Sequence, residues 1–247
     1  MMFWGLVIIC VIAIGSCHWL AGMISKQSEQ SQVRWASVGG GAGLGYVFLH
    51  LLPELASGGK TISQTVDMQS YVPNALTESI LFLIVLLGVL IPYMLGVITT
   101  QNPSSAKSIG IIRLMVFTLV NYLYAYSMPS LLTTGITYGL LYTIAISVHV
   151  LFADRVLDKD HHQSFRKRYR WLGTAAVSLG AIHAAILHPI SDFTLAVATA
   201  FVGGGLLISV FREDLPNPKK SRLGWFFLGL TTMGTILLIA TTQEAHA

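Results

Sequence analysis

Charge is what this sequence has least of. Only 11% of its 247 residues are Asp, Glu, Lys or Arg, against about 25% in an ordinary soluble domain. Hydrophobic residues make up 53% and the mean hydropathy is +0.67. A soluble core of this size needs polar faces that the chain does not supply. A water-soluble globular class is therefore excluded, and an all-α integral membrane protein is expected. Cysteine is nearly missing. Cys10 and Cys17 both lie in the first apolar run, about 10 Å apart along a helix and so beyond the reach of a disulfide. They read as lipid-facing or core filler. No nucleophile elbow, P-loop or dinucleotide fingerprint occurs, so neither enzymatic catalysis nor ATP hydrolysis is expected. Low-complexity tracts and internal repeats are missing too, which leaves one polytopic membrane domain over 1–247.

What is present is a series of eight apolar segments, at 3–24, 35–56, 79–99, 113–130, 136–156, 171–188, 193–211 and 224–241. Each is near the ~20 residues that cross a ~30 Å hydrocarbon core. Turn-forming stretches such as "SGGKT", "QNPSS", "HPISD" and "PNPKK" separate them. The longest polar stretch, 57–78, reads as a loop or a short surface helix. With eight spans both termini share one side. Of the fifteen Lys and Arg, that side holds Lys60 alone and the opposite loops hold the other fourteen. The positive-inside rule then sets both termini outside the cytoplasm, in the plasma or inner membrane. The first run has no basic residue before it, unlike a cleaved leader, and is expected to stay as a helix. The lipid bilayer is the expected partner, with "FRKRYR" (165–170) against anionic headgroups. Nucleic acid is not expected as one.

An ionisable side chain in hydrocarbon costs at least ~2.5 kcal/mol, so each needs a reason. His50 and Glu54, in "YVFLHLLPEL", are four apart and share a helix face. Pro53 between them cannot donate to the helix ladder and clashes with the carbonyl four residues back, so the helix should kink or end there. Two readings follow: a cation site at a freed carbonyl, or a plain helix end with Glu54 among the headgroups. His149 and Asp154 are five apart, about 140° around a helix, and share a face poorly. Asp154 is expected near the surface, paired with Arg155, Lys159 or another loop cation. His18 and His183 read as hydrogen-bonded interior histidines. Haem ligation by His50, His149 or His183 finds no paired-His spacing that repeats between helices. Asp158, Asp160, His161 and His162, in "DKDHH", form a possible divalent-metal loop, although such clusters are common in solvated loops. "REDLP" (212–216) reads as a solvated helix end.

The order of these features resembles the ZIP (Zrt/Irt-like) family of divalent-metal transporters. "GLGYVFLHLLPEL" (43–55) is similar to the family's second helix, which ends His-Leu-hydrophobic-Pro-Glu. "LFLIVLLGVLI" (81–91), "FVGGGLLISVFREDLP" (201–216) and "RLGWFFLGL" (222–230) resemble its third, seventh and eighth. The resemblance implies an eight-helix bundle with both termini outside, alternating-access transport of zinc or iron, and a metal site on the fourth and fifth spans. There the chain departs from the pattern. Where the fourth span of the family reads His-Asn-x-x-Asp, this chain has Val120, Asn121 and Tyr124. Where the fifth reads His-Glu-x-x-His, it has His149, Val150 and Ala153. The family's His-rich loop before the fourth span is missing as well. Asn121 and His149 remain as ligands, His50 and Glu54 would sit at the outer mouth, and Asp154 with the 158–162 cluster would lie on the exit side.

Zinc takes about four N, O or S ligands, so such a site is reduced. Two functions are therefore expected as alternatives: a ZIP-like carrier with an altered site, or a non-transporting membrane protein of the same fold with a regulatory or assembly role. The small-residue patches "GGGAGLG" (39–45) and "GGG" (203–205) imply close helix contacts. The sequence leaves open whether those lie within one chain or across a homodimer.

Overall fold

In a computed structural model, residues 2–24, 26–65, 74–101, 106–160, 162–215 and 219–244 are described. They form helices α1 (Met2–Ile24), α2 (Glu29–Tyr46), α3 (Leu52–Thr65), α4 (Asn74–Gln101), α5 (Ala106–Thr134), α6 (Ile136–Asp160), α7 (His162–Ser164), α8 (Arg170–Leu187), α9 (Asp192–Ser209) and α10 (Leu223–Glu244). Three π turns join or extend them, at Val47–Leu51, Phe165–Tyr169 and Val210–Asp214. Among the described residues there is no strand. Among the described residues seven helices are long and apolar enough to cross a membrane, and α10 adds a shorter apolar stretch, Leu223–Ile239. The protein is thus a multi-pass membrane protein by helix length and composition.

The local causes are ordinary ones. Ser28 and Ser191 cap α2 and α9, each side chain accepting a hydrogen bond from the backbone three residues on. α4 and α5 run through Pro92 and Pro129 without a break, as helices in lipid do when neighbours satisfy the freed carbonyls. Their outward faces stay apolar, with Phe82, Leu83, Leu86, Leu87 and Met94 of α4 exposed, as suits a surface against acyl chains.

α6 lies in the middle, against α1, α2 and α5, while α5 also packs on α8 and α9. Around them α2 pairs with α10 and α4 with α9. The buried polar side chains concentrate on this central pair: Asn121, Ser127 and Ser130 on α5, and Thr143, Asp154 and Asp158 on α6. The small-residue patches serve contacts within the chain. A Cβ on Gly41 would strike the Phe226 carbonyl of α10, and one on Gly229 the Val38 carbonyl of α2. Gly88 of α4 and Gly204 of α9 face each other in the same reciprocal way. At one end of the bundle Lys220 Nζ donates to Glu29 Oε1 at 2.6 Å. That hydrogen bond, together with the carboxylate charge, holds the ammonium above its ordinary titration range.

Two expectations that left alternatives open are narrowed here. The second span does not end at Pro53. It passes through the π turn Val47–Leu51 into α3 and on to Thr65. The π turn ends with the Leu52 N–H reaching back five residues to the Val47 carbonyl. The register has therefore widened just before the residue that has no N–H to offer. The stretch 57–78 is also largely helical: α3 continues to Thr65 and α4 starts at Asn74, while 66–73 lie outside the described residues.

Candidate functional site

Three of the expected ligands converge. A cavity of about 180 Å³ opens between α4, α5, α6, α9 and the last π turn, and Asn121, His149 and Asp154 all line it. Asn121 Nδ2 donates to the Phe117 carbonyl one turn earlier, at 2.9 Å. Its Oδ1 is left buried with no hydrogen-bond partner among the described residues. That is the condition in which a buried carbonyl oxygen costs most. The half-buried His149 ring meets the edge of Tyr124 at 6.3 Å. The wall opposite carries Ser209 and Arg212, with the Arg212 guanidinium lying over Gly96 of α4.

Asp154 is not the surface residue that its neighbours in sequence suggested. It is 2% exposed and shares a 2.5 Å hydrogen bond with Nδ1 of His18, which is fully buried on α1. This partner is 136 positions away and is brought close because α1 packs along α6; of the expected partners, the side chain of Lys159 lies outside the described residues. Gly173 of α8 leaves room for the His18 ring, Phe117 meets it edge-on, and its Nε2 has no partner among the described residues. His18 is therefore part of the site that spacing could not reveal.

His50 and Glu54 form a second cluster. Their Nε2 and Oε2 atoms lie 3.8 Å apart, too far for a hydrogen bond. The His50 ring sits between Tyr46 and Tyr138, at 5.1 and 4.5 Å, and the Tyr138 side chain hydrogen-bonds the Glu54 carboxylate. Glu54 is 21% exposed and His50 only 7%, so neither stands free among headgroups. Between the clusters the buried Tyr142 donates to the Tyr124 carbonyl at 3.1 Å. Tyr138, Tyr142 and His149 of α6 fall within about 40° of one another around the helix, and Asp154 and Asp158 face the other way. The span from Tyr138 to Asp158 is about 30 Å of helix, the thickness of the hydrocarbon core. One helix thus carries polar groups through the full depth of the bundle.

Of the "DKDHH" cluster, only Asp158 has a described side chain. Asp158 is 1% exposed and lies 3.9 Å from Arg166 Nε. His161 lies outside the described residues, as do the side chains of Asp160 and His162. Among the described residues no group of three or more His, Cys, Asp or Glu could hold a metal ion together. His183 is exposed rather than interior, and its Nδ1 bonds the Tyr122 hydroxyl. Arg212, within a motif that looked like a solvated helix end, was missed because nothing in sequence shows that a π turn swings it over Gly96. No protein-family model matches the chain, and no curated protein matches it.

Proposed function

We propose that the chain is a ZIP-like carrier of divalent cations, of the zinc or iron class, working by alternating access with a reduced central site. One observation carries this reading: Asn121 and His149, on different helices, open on the same cavity with Asp154, and the Asn121 Oδ1 there lacks a partner among the described residues. An imidazole nitrogen, an amide oxygen and a carboxylate oxygen are donors that a borderline cation accepts. Waters would complete its shell. Arg212 on the facing wall weakens cation binding by charge repulsion. A carrier tolerates that better than a structural site does, because its cargo must leave.

His50, Glu54 and Tyr138 form the outer approach and Asp154 with His18 the inner one, with the termini outside. Movement of α5 and α6 against the helices around them would open the cavity to each side in turn. In proteoliposomes, initial uptake of Zn2+ or Fe2+ by His149→Ala should fall at least tenfold against the unmodified protein. Uptake that is unchanged by the substitution would rule out this site.

The runner-up is a non-transporting protein of the same fold with a regulatory or assembly role. The observation that favours it is the engagement of Asp154 by His18 at 2.5 Å, beside a cavity that also holds Arg212. It requires that no zinc or iron binds stoichiometrically to the purified protein. Bound metal that is lost on Asn121→Ala would end it.

A further inference from the structure

We propose that the basic end of α1 and α8 is a binding site for the phosphate of an anionic phospholipid headgroup, built from Lys167, Arg168 and Arg170 on a platform of Trp19 and Trp171. It is separate from the central cavity and does not depend on what that cavity carries.

Four cations, Arg166, Lys167, Arg168 and Arg170, fall in the π turn Phe165–Tyr169 and the first residue of α8. Two indoles stand beside them. Trp19 of α1 and Trp171 of α8 meet edge to face at 4.7 Å, and both remain exposed, at 39% and 56%. Trp19 is fixed in its orientation by the hydrogen bond from its Nε1 to Thr174 Oγ1, at 3.1 Å. The Arg170 guanidinium lies 4.4 Å over the Trp19 ring and 6.0 Å from Trp171. This holds a planar guanidinium in place before any ligand arrives, with its Nε turned inward and buried. Arg166 is partly spent on Asp158. Lys167 and Arg168 are exposed and form no ion pair among the described residues.

The indoles select the source of the phosphate. Exposed Trp pairs at helix ends sit at headgroup depth, which sets the Arg170 fork level with lipid phosphates, and guanidinium recognises phosphate oxygens in a bidentate way. A free anion in water would have no use for the two rings. The uncompensated positive charge favours a lipid of net negative charge over a zwitterionic one. The other basic cluster has a looser stack, Arg34 over Trp225 at 5.8 Å, but no paired indoles among the described residues, and its Lys220 is already held by Glu29 at 2.6 Å.

The test is titration of phosphatidylglycerol into the protein in phosphatidylcholine nanodiscs or mixed micelles, with bound lipid counted by native mass spectrometry. The unmodified protein should retain the anionic lipid. Lys167→Gln with Arg168→Gln should weaken it roughly thirtyfold, and Trp171→Ala should weaken it as well. Lys219→Gln with Lys220→Gln removes the same nominal charge and should change it less than about threefold. All of these side chains are exposed, so the fold is expected to persist, checked by circular dichroism. Equal loss in the two double variants would mean diffuse attraction and overturn the site. So would displacement of the lipid by millimolar inorganic phosphate.

Discussion

Asp154→Ala is expected to destabilise the protein by about 3–5 kcal/mol, read from unfolding in mixed detergent micelles. The substitution leaves His18 fully buried, with Phe117 at its edge and Gly173 under its ring, and removes the only partner of Nδ1 seen among the described residues. A neutral interhelical hydrogen bond between membrane helices is worth about 0.6 kcal/mol on average, so the size of the loss reports whether the pair is ionic. His18→Ala should cost a similar amount. Because the two residues act on each other, the losses should not add. Replacing both, as His18→Leu with Asp154→Leu, should recover much of the stability, since apolar side chains of similar volume often match or exceed a buried ion pair. Metal uptake should not recover with it, because the carboxylate that faces the cavity is gone. A stable double variant that still transports would show that Asp154 only pins α1 to α6. A single Asp154→Ala variant as stable as the unmodified protein would contradict the burial of the pair.

The membrane class, the helical content and the approximate spans were legible because each rests on composition over twenty or so residues, and that signal survives local error. The site was legible in part. His149 could be named because an imidazole at membrane depth needs a reason, and Asn121 because its stretch resembles the fourth helix of the ZIP family. The cavity that joins them to Asp154 could not be named, since 140° of helix separates His149 from Asp154 and only a gap between five elements reaches both. The partner of Asp154 was illegible for a different reason. Side-chain pairs 136 residues apart leave no trace in spacing, so the nearest cations looked like the better candidates. Pro53 shows a local rule that operated with another outcome. The missing N–H does disturb the ladder, but a π turn ahead of it absorbs the change, and His50 is presented inward between Tyr46 and Tyr138. Arg212 sits in the π turn at the end of α9. The π turns at Val47–Leu51 and Val210–Asp214 therefore carry residues of the two central clusters that a strict 3.6-residue period would aim elsewhere.

Gly204→Ala should cost about 3 kcal/mol, while Gly205→Ala, one residue on, should be neutral or slightly stabilising. A Cβ at Gly204 would run into the Val85 carbonyl oxygen, and one at Gly88 into the Phe201 carbonyl oxygen, so the two helices touch backbone to backbone at this crossing. Overpacking typically costs 1–3 kcal/mol. The upper end applies because a carbonyl fixed in a helix cannot rotate aside as a side chain can. Close approach of this kind is what holds helices together in lipid, where no hydrophobic drive separates helix from solvent. At Gly205 the nearest atom to an added Cβ is the Gly88 oxygen, at 3.8 Å, an ordinary contact. Alanine gains up to ~1 kcal/mol of helix propensity there. The pair also separates stability from function. Gly205 lines the cavity, whereas Gly204 is buried against α4. Pushing α9 off α4 through Gly204 would shift Ser209 and Arg212 on the cavity wall as well, so uptake should fall along with stability. Uptake reduced by Gly205→Ala at unchanged stability would instead report on the cavity itself. Equal unfolding midpoints for the two alanine variants would mean that α4 and α9 do not cross at the distance this packing requires.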